Sequence, residues 1–150
     1  MLPDADVIGL RLGVPYGGML GHRGLTHSLI FACAVGLAAA APFWAGARPW
    51  ERFQIALCIA LATASHGILA AFTNGGRGVA FFSPFDATRY FFPVTPIKVT
   101  PLGAQAFFSQ RGLSVLASEI IWVWCPTLLV TGIVIAVQSR KRTRVSSRVR

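Results

Sequence analysis

The sequence predicts an all-α fold, a multi-pass membrane helical bundle of about three transmembrane helices with a long Gly-, Pro- and aromatic-rich loop between the second and third. Two observations carry this. Of 150 residues, 54% are hydrophobic and only 13% charged, about half the charged share of an ordinary soluble domain. Three stretches, Leu25 to Trp44, Phe53 to Phe72 and Leu113 to Gln138, each reach the roughly 20 apolar residues that a helix needs to cross a bilayer.

Each element has its own justification. The chain opens on a polar segment containing "LPDAD" and "GHRGLTHS". The first apolar stretch follows, with Thr26 as the expected N-cap. A cleavable signal peptide competes for this stretch, with "AGA" at 45–47 as a small-residue site. Its apolar run exceeds the 7–15 residues or so of a signal core, which favours a membrane span. The short link "AGARPWER" makes the first two spans an antiparallel hairpin, and Gly36, Ala38 to Ala41, Ala60, Ala62 and Ala64 let the helices approach closely. Residues 73–111 then form the long loop. Its aromatics Phe81, Phe82, Phe85, Tyr90, Phe91 and Phe92 argue against disorder and suit a membrane interface. Pro126 is expected to kink the third span.

Residues 1–138 are thus read as one membrane-embedded domain and residues 139–150 as a basic tail. Net charge is +9, and six of the fourteen Lys and Arg lie in "RKRTRVSSRVR". Directly after an apolar helix such a cluster fixes topology, with the tail on the cytoplasmic side. Membrane lipid is the expected surrounding. Nucleic acid is disfavoured, because no aromatic–basic interleaving or recognition motif is present. Cys33, Cys58 and Cys125 have no C-x-x-C pairing and read as small apolar residues within the spans.

The polar residues converge in this layout. With the tail inside, the N-terminal segment and the long loop fall outside, and His66 and Glu119 each lie about two turns below the outer ends of their helices. All three histidines, with Asp4, Asp6, Asp86 and Glu119, then gather at one membrane face, while Glu51 sits apart with Arg48 and Arg52 as solvated surface. Ionisable groups inside spans are costly and are usually paired or functional. Paired readings exist: His66 with Ser118 or Thr63, Glu119 with Arg111 or Arg23, Asp86 with Arg89 in a turn, and "LPDAD" as turn and cap. A shared divalent-metal site accounts for them together, since a hydrolytic centre needs imidazole and carboxylate ligands and an open position for water. His22 and His27 are too far out of helical phase to share a face. They converge only if His22 lies in a turn bent at Gly24. On the second span, His66 shares a face with Ala70, Thr73 and Asn74, which leaves an apolar gap at 70. "GGRG" is not a phosphate loop, because no G-K-[ST] follows.

The motifs "PDAD", "GHRGLTHS", "SHGILAAFTNGG", "FFSPFDATRYFFP" and "VLASE" resemble, in order and over nearly the whole chain, the YdjM-like family of inner-membrane metal-dependent hydrolases, some described as LexA-binding. The resemblance implies a multi-pass protein of the bacterial inner membrane holding a divalent metal ion, zinc by its His-rich ligand set. The metal ligands would be Asp4, Asp6, His22, His27 and His66. Arg23 and Glu119 would be substrate-facing, with Arg23 neutralising an anionic leaving group. A phosphoester or lipid-linked compound is the expected substrate class. Two departures favour an alternative, a catalytically degenerate membrane scaffold with a protein partner. The family pattern S-H-x-x-L-D has Ala70 in place of its aspartate, and the further apolar helix with a Thr-His motif that usually precedes "PDAD" is not seen ahead of it. A transporter relay through His66 and Glu119 is a third reading, weakened by the few spans and the lack of an inverted repeat.

Overall fold

The computed structural model describes residues 2–43, 45–99 and 108–148, with side chains described as far as Arg140. Trp44 at the end of the first expected span, residues 100–107 of the long loop and the side chains of the tail beyond Arg140 lie outside the described residues. The chain forms two compact units, Met1–Thr95 and Pro96–Arg150. It is all-α, with an isolated antiparallel bridge between Val79 and Tyr90.

The first unit begins with a 3-10 turn, Pro3–Asp6, which runs into the short helix α1, Val7–Arg11. Proline near the start of this turn has no N–H to leave unsatisfied. Tight turns carry residues 12–24 to a second 3-10 turn, Leu25–His27, followed by α2, Leu29–Ala40. The first apolar stretch therefore departs from the expected span beginning at Leu25. Ser28 is extended (φ −77°, ψ 157°) and its hydroxyl accepts the Phe31 N–H at 3.1 Å, so the helix starts after Ser28. Thr26 is not the cap. Its hydroxyl serves a different acceptor, described below.

A 3-10 turn, Ala41–Phe43, ends this apolar helix at Leu29–Phe43, short of the roughly 20 residues of a full span. The helices long and apolar enough to cross a membrane are α3, Pro49–Ala71 with 23 residues, and the continuous helix Gln110–Arg140 with 31. Ala32, Gly36 and Ala40 form the buried stripe of α2. Four-residue spacing puts these small residues on one face, where α2 packs along α3. At the start of α3, Glu51 accepts the Arg48 N–H at 2.9 Å, so this acid satisfies a free helix-start donor as well as facing solvent.

Past α3 the chain folds back over the helix end. Phe72 stacks on Phe92 at 4.0 Å between ring centroids, and the Phe92 N–H donates to the Ala71 carbonyl at 3.1 Å. Val79 and Tyr90 exchange backbone hydrogen bonds of 2.9 and 3.0 Å, and the Leu29 N–H donates to the Phe81 carbonyl at 3.0 Å. Ala70, Ala71 and Val79, with Phe81 against them, form a small apolar core under this fold-back.

In the second unit, α4 (Gln110–Glu119), a π-helical turn (Ile120–Trp124) and α5 (Cys125–Arg148) run on as one helix. Pro126 lacks the N–H that would meet the carbonyl four residues back, and its ring crowds that carbonyl. The π-helical turn directly before it absorbs the mismatch. Leu128, Leu129 and Ile133 are well exposed, a surface suited to hydrocarbon rather than water.

Replacing the cap with Ser28→Ala should cost about 1 kcal/mol of stability. Chemical unfolding in detergent micelles measures it.

Candidate metal centre

The side chain of Asp6 is almost fully buried, and three donors from one short stretch turn toward it. His22 Nδ1 donates to Oδ1 at 2.6 Å. The Arg23 N–H and the Thr26 hydroxyl donate to Oδ2 at 3.1 and 2.5 Å. The spacing of "HRGLTH" follows from this: each polar member except Arg23's side chain is spent on, or stands beside, one carboxylate. Burial works against the charge on Asp6, and the hydrogen bonds from His22, His27 and Thr26 more than offset it, holding this carboxyl well below the usual range.

The hydrogen bonding fixes the tautomer of His27. Thr26 gives its hydroxyl proton to Asp6, so the 3.1 Å contact between Thr26 Oγ1 and His27 Nδ1 must use a proton on Nδ1. Asp6 Oδ2 lies 3.4 Å from the same nitrogen. In the neutral ring, Nε2 then carries a bare lone pair. It is buried and has no hydrogen-bond partner, and the same is true of His66 Nε2. Both nitrogens face one oxygen: Asp4 Oδ1 is 3.4 Å from His27 Nε2 and 3.2 Å from His66 Nε2.

Asp4, His27 and His66 thus present three ligand atoms all within 4.8 Å of one another. Ligands about 2.0–2.1 Å from a tetrahedral ion are about 3.3 Å apart, which the 3.4 and 3.2 Å separations match. The imidazoles of His27 and His66 keep the Asp4 carboxyl far below its usual range, against its partial burial. Burial disfavours a charged His27, but Asp4 and Asp6 outweigh burial and raise its pKa.

Backbone packing brings His66 to this point. Its neighbour Gly67 lies where a Cβ would stand 2.8 Å from the His27 carbonyl oxygen, so a side chain there would push the two histidines apart. The His27 and His66 rings are 5.1 Å apart between centroids and His22 is 5.6 Å from His27.

The other expected residues are placed differently. Arg23 is buried, and its Nη1 donates to the Ala70 carbonyl at 3.1 Å and the Gly75 carbonyl at 2.8 Å. It braces the end of α3, where a cation meets the negative pole of the helix. The bend expected at Gly24 is taken by Arg23 itself, with φ +64°, a costly conformation for a residue with a side chain. Ala70, the apolar gap, is buried in the core beneath that brace. Glu119 belongs to the second unit, and the cluster is built wholly from the first. Asp86 accepts the Thr88 N–H at 2.8 Å, a local turn, and Arg89 does not pair with it. Arg89 instead donates to the carbonyls of His22 (3.0 Å), Gly18 (3.1 Å), Tyr16 (3.3 Å) and Gly78 (3.4 Å). This clamp and Tyr16, whose ring meets His22 edge-on at 5.5 Å, were not legible in the sequence, since backbone carbonyls as partners leave no residue pattern.

A family model described as YdjM inner membrane protein matches residues 1–143. Inner membrane protein YbcI of Escherichia coli (strain K12) is 40% identical over 135 residues, covering 88% of this chain and 76% of the relative. No solved structure matches. The chain belongs to the YdjM inner membrane protein family.

Asp6→Ala should strip three buried donors of their acceptor and lower the stability of the metal-free protein by about 2–3 kcal/mol. Asp4→Ala, at a half-exposed carboxylate, should change it by less than about 1 kcal/mol. Unfolding of both variants in chelator-treated detergent solution compares them.

Proposed function

We propose that this inner-membrane family member is a membrane-bound metal-dependent hydrolase in which Asp4, His27 and His66 hold a divalent cation, zinc by the nitrogen-rich donor set. The observation that carries the reading is the pair of buried Nε2 atoms, neither in a hydrogen bond, that converge on one carboxylate oxygen. Such nitrogens cost free energy unless something fills the space between them. A proton on His27 is one answer, and a divalent ion satisfies all three groups at once.

Within this reading the chain's own residues divide the work. Asp6 holds the Nδ1 side of His27, directly and through Thr26, which keeps Nε2 free for a ligand bond, the carboxylate–histidine arrangement common at metal sites. Of the five ligands expected from the motifs, Asp6 and His22 therefore take the supporting role. Three protein ligands leave a position open, and a divalent ion held there acidifies water and polarises a phosphoryl or acyl oxygen. Arg23 is a brace rather than a group facing the leaving anion, because its guanidinium is engaged by two carbonyls. Glu119 belongs to the second unit and takes no part in this reading. Domain 1–138 carries the site, in lipid, and the tail 139–150 lies on the cytoplasmic side.

A second reading, a catalytically degenerate scaffold with a protein partner, is favoured by Ala70. A hydrolase should cleave a generic phosphodiester such as bis(p-nitrophenyl) phosphate once metal-loaded. If the protein holds metal but neither it nor Ala70→Asp cleaves that substrate, the scaffold reading stands.

Elemental analysis of protein purified in detergent should find about one divalent ion per chain, matching the one three-ligand group among the described residues. His27→Ala and His66→Ala should each lose it, whereas Ser28→Ala retains it. Metal-free wild-type protein that resists reloading with zinc would sink the proposal.

A further inference from the structure

The loop "TNGGRG" has no part in holding the cluster beyond its Gly75 and Gly78 carbonyls, yet it is built with care. Gly76 and Gly78 both adopt left-handed backbone (φ +85° and +78°), a conformation that only glycine reaches without strain. Each is also wedged. A Cβ on Gly76 would lie 2.7 Å from the Tyr16 hydroxyl and 3.0 Å from Arg23 Nη1, and one on Gly78 would lie 2.9 Å from the Tyr90 carbonyl. Arg77 sits between these two anchored glycines.

Its guanidinium carbon lies 5.8 Å from the centre of the Tyr16 ring, within cation–π reach. Gly17, having no side chain, leaves the space that Arg77 Nη1 occupies, 2.9 Å from where a Cβ would stand. The neighbouring arginines 23 and 89 are both spent on backbone carbonyls. Arg77 is exposed, and among the described residues it has no hydrogen bond or ion pair. A guanidinium held in place on an aromatic face, with its donors open, is ready to bind an anion with two parallel bonds. The Tyr16 ring that carries it meets His22 edge-on, and His22 is bonded to Asp6.

We propose that Arg77, seated on Tyr16, is the substrate-recognition residue of the His/Asp centre and binds a phosphate group, so that the substrate is a phosphate-bearing compound. This rests on the reading of Asp4, His27 and His66 as the reaction centre. Phosphate on a free small molecule and phosphate in a lipid headgroup offer the same oxygens, and the assay separates them.

The test uses the full-length, zinc-treated protein in detergent, with inorganic phosphate as probe and metal content measured in parallel. Wild type should bind phosphate, and Arg77→Ala should bind it about tenfold more weakly, the loss of one charge-assisted bidentate contact, with metal content unchanged. Arg77→Lys should recover part of the affinity, since it keeps the charge without the fork. Repeating the measurement in nanodiscs of phosphatidylglycerol against phosphatidylcholine identifies the source. Competition by both bilayers alike points to a lipid phosphodiester, and undiminished binding in both to a soluble phosphate compound. Competition by phosphatidylglycerol alone would mean a general attraction to anionic surface and would overturn the proposal. So would phosphate binding that Arg77→Ala leaves intact, or no binding by wild type. Arg77-dependent binding in a protein that never holds metal would instead remove the reaction centre and leave an anion site.

Discussion

A buried carboxylate with its negative charge intact is the constraint around which the first unit is organised. Asp6 is tolerable in that position only because His22, the Arg23 backbone and Thr26 all donate to it. A buried charge without such partners would cost several kcal/mol. Meeting that demand draws "HRGLTH" over the N-terminal turn, sets the tautomer of His27 and forces Arg23 into a left-handed backbone. That strain is held by the brace from Arg23 to the end of α3 and by the Ala80 N–H, which donates to the Arg23 carbonyl at 3.0 Å.

The helices contribute position rather than chemistry. Small residues on α2 let it lie along α3, and Gly67 lets α3 approach the His27 backbone. His66 then arrives opposite His27, with 5.1 Å between the ring centroids. The third ligand atom comes from the N-terminal 3-10 turn, which also carries Asp6. Asp4 and Asp6 thus serve different ends from one turn: one carboxylate is consumed by hydrogen bonds, and the other faces two imidazole nitrogens at 3.4 and 3.2 Å. Polar chemistry of this kind is expensive in a protein so short of charged residues, and here it joins the N-terminal turn, the turn before α2 and the last two turns of α3.

Much of this was legible in the residues. The composition and apolar lengths of the second and third stretches announce long membrane helices, because burying twenty apolar side chains in lipid needs no tertiary detail. The scarcity of histidine and acid made the gathering of Asp4, Asp6, His22, His27 and His66 readable as well, but the same reasoning added Asp86, which closes a local turn, and Glu119, which belongs to the second unit. The first stretch was misjudged at its start: hydrophobicity ran on from Leu25, but Ser28 broke the helix and returned Leu25–His27 to the polar cluster. Local hydrogen bonding outweighed the apolar pattern there.

What the sequence determined by itself is the all-helical membrane class and the few imidazoles and carboxylates available for a polar cluster, since both depend on residue type and on spacing along the chain. The tertiary structure alone decided which of those residues hold one another and which are left open. It turned Asp6 and His22 inward, committed Arg23 and Arg89 to backbone carbonyls, and left the Nε2 atoms of His27 and His66 facing Asp4. Those assignments depend on distances of about 3 Å between groups many residues apart, and such distances are set by how turns and helices pack rather than by any local pattern.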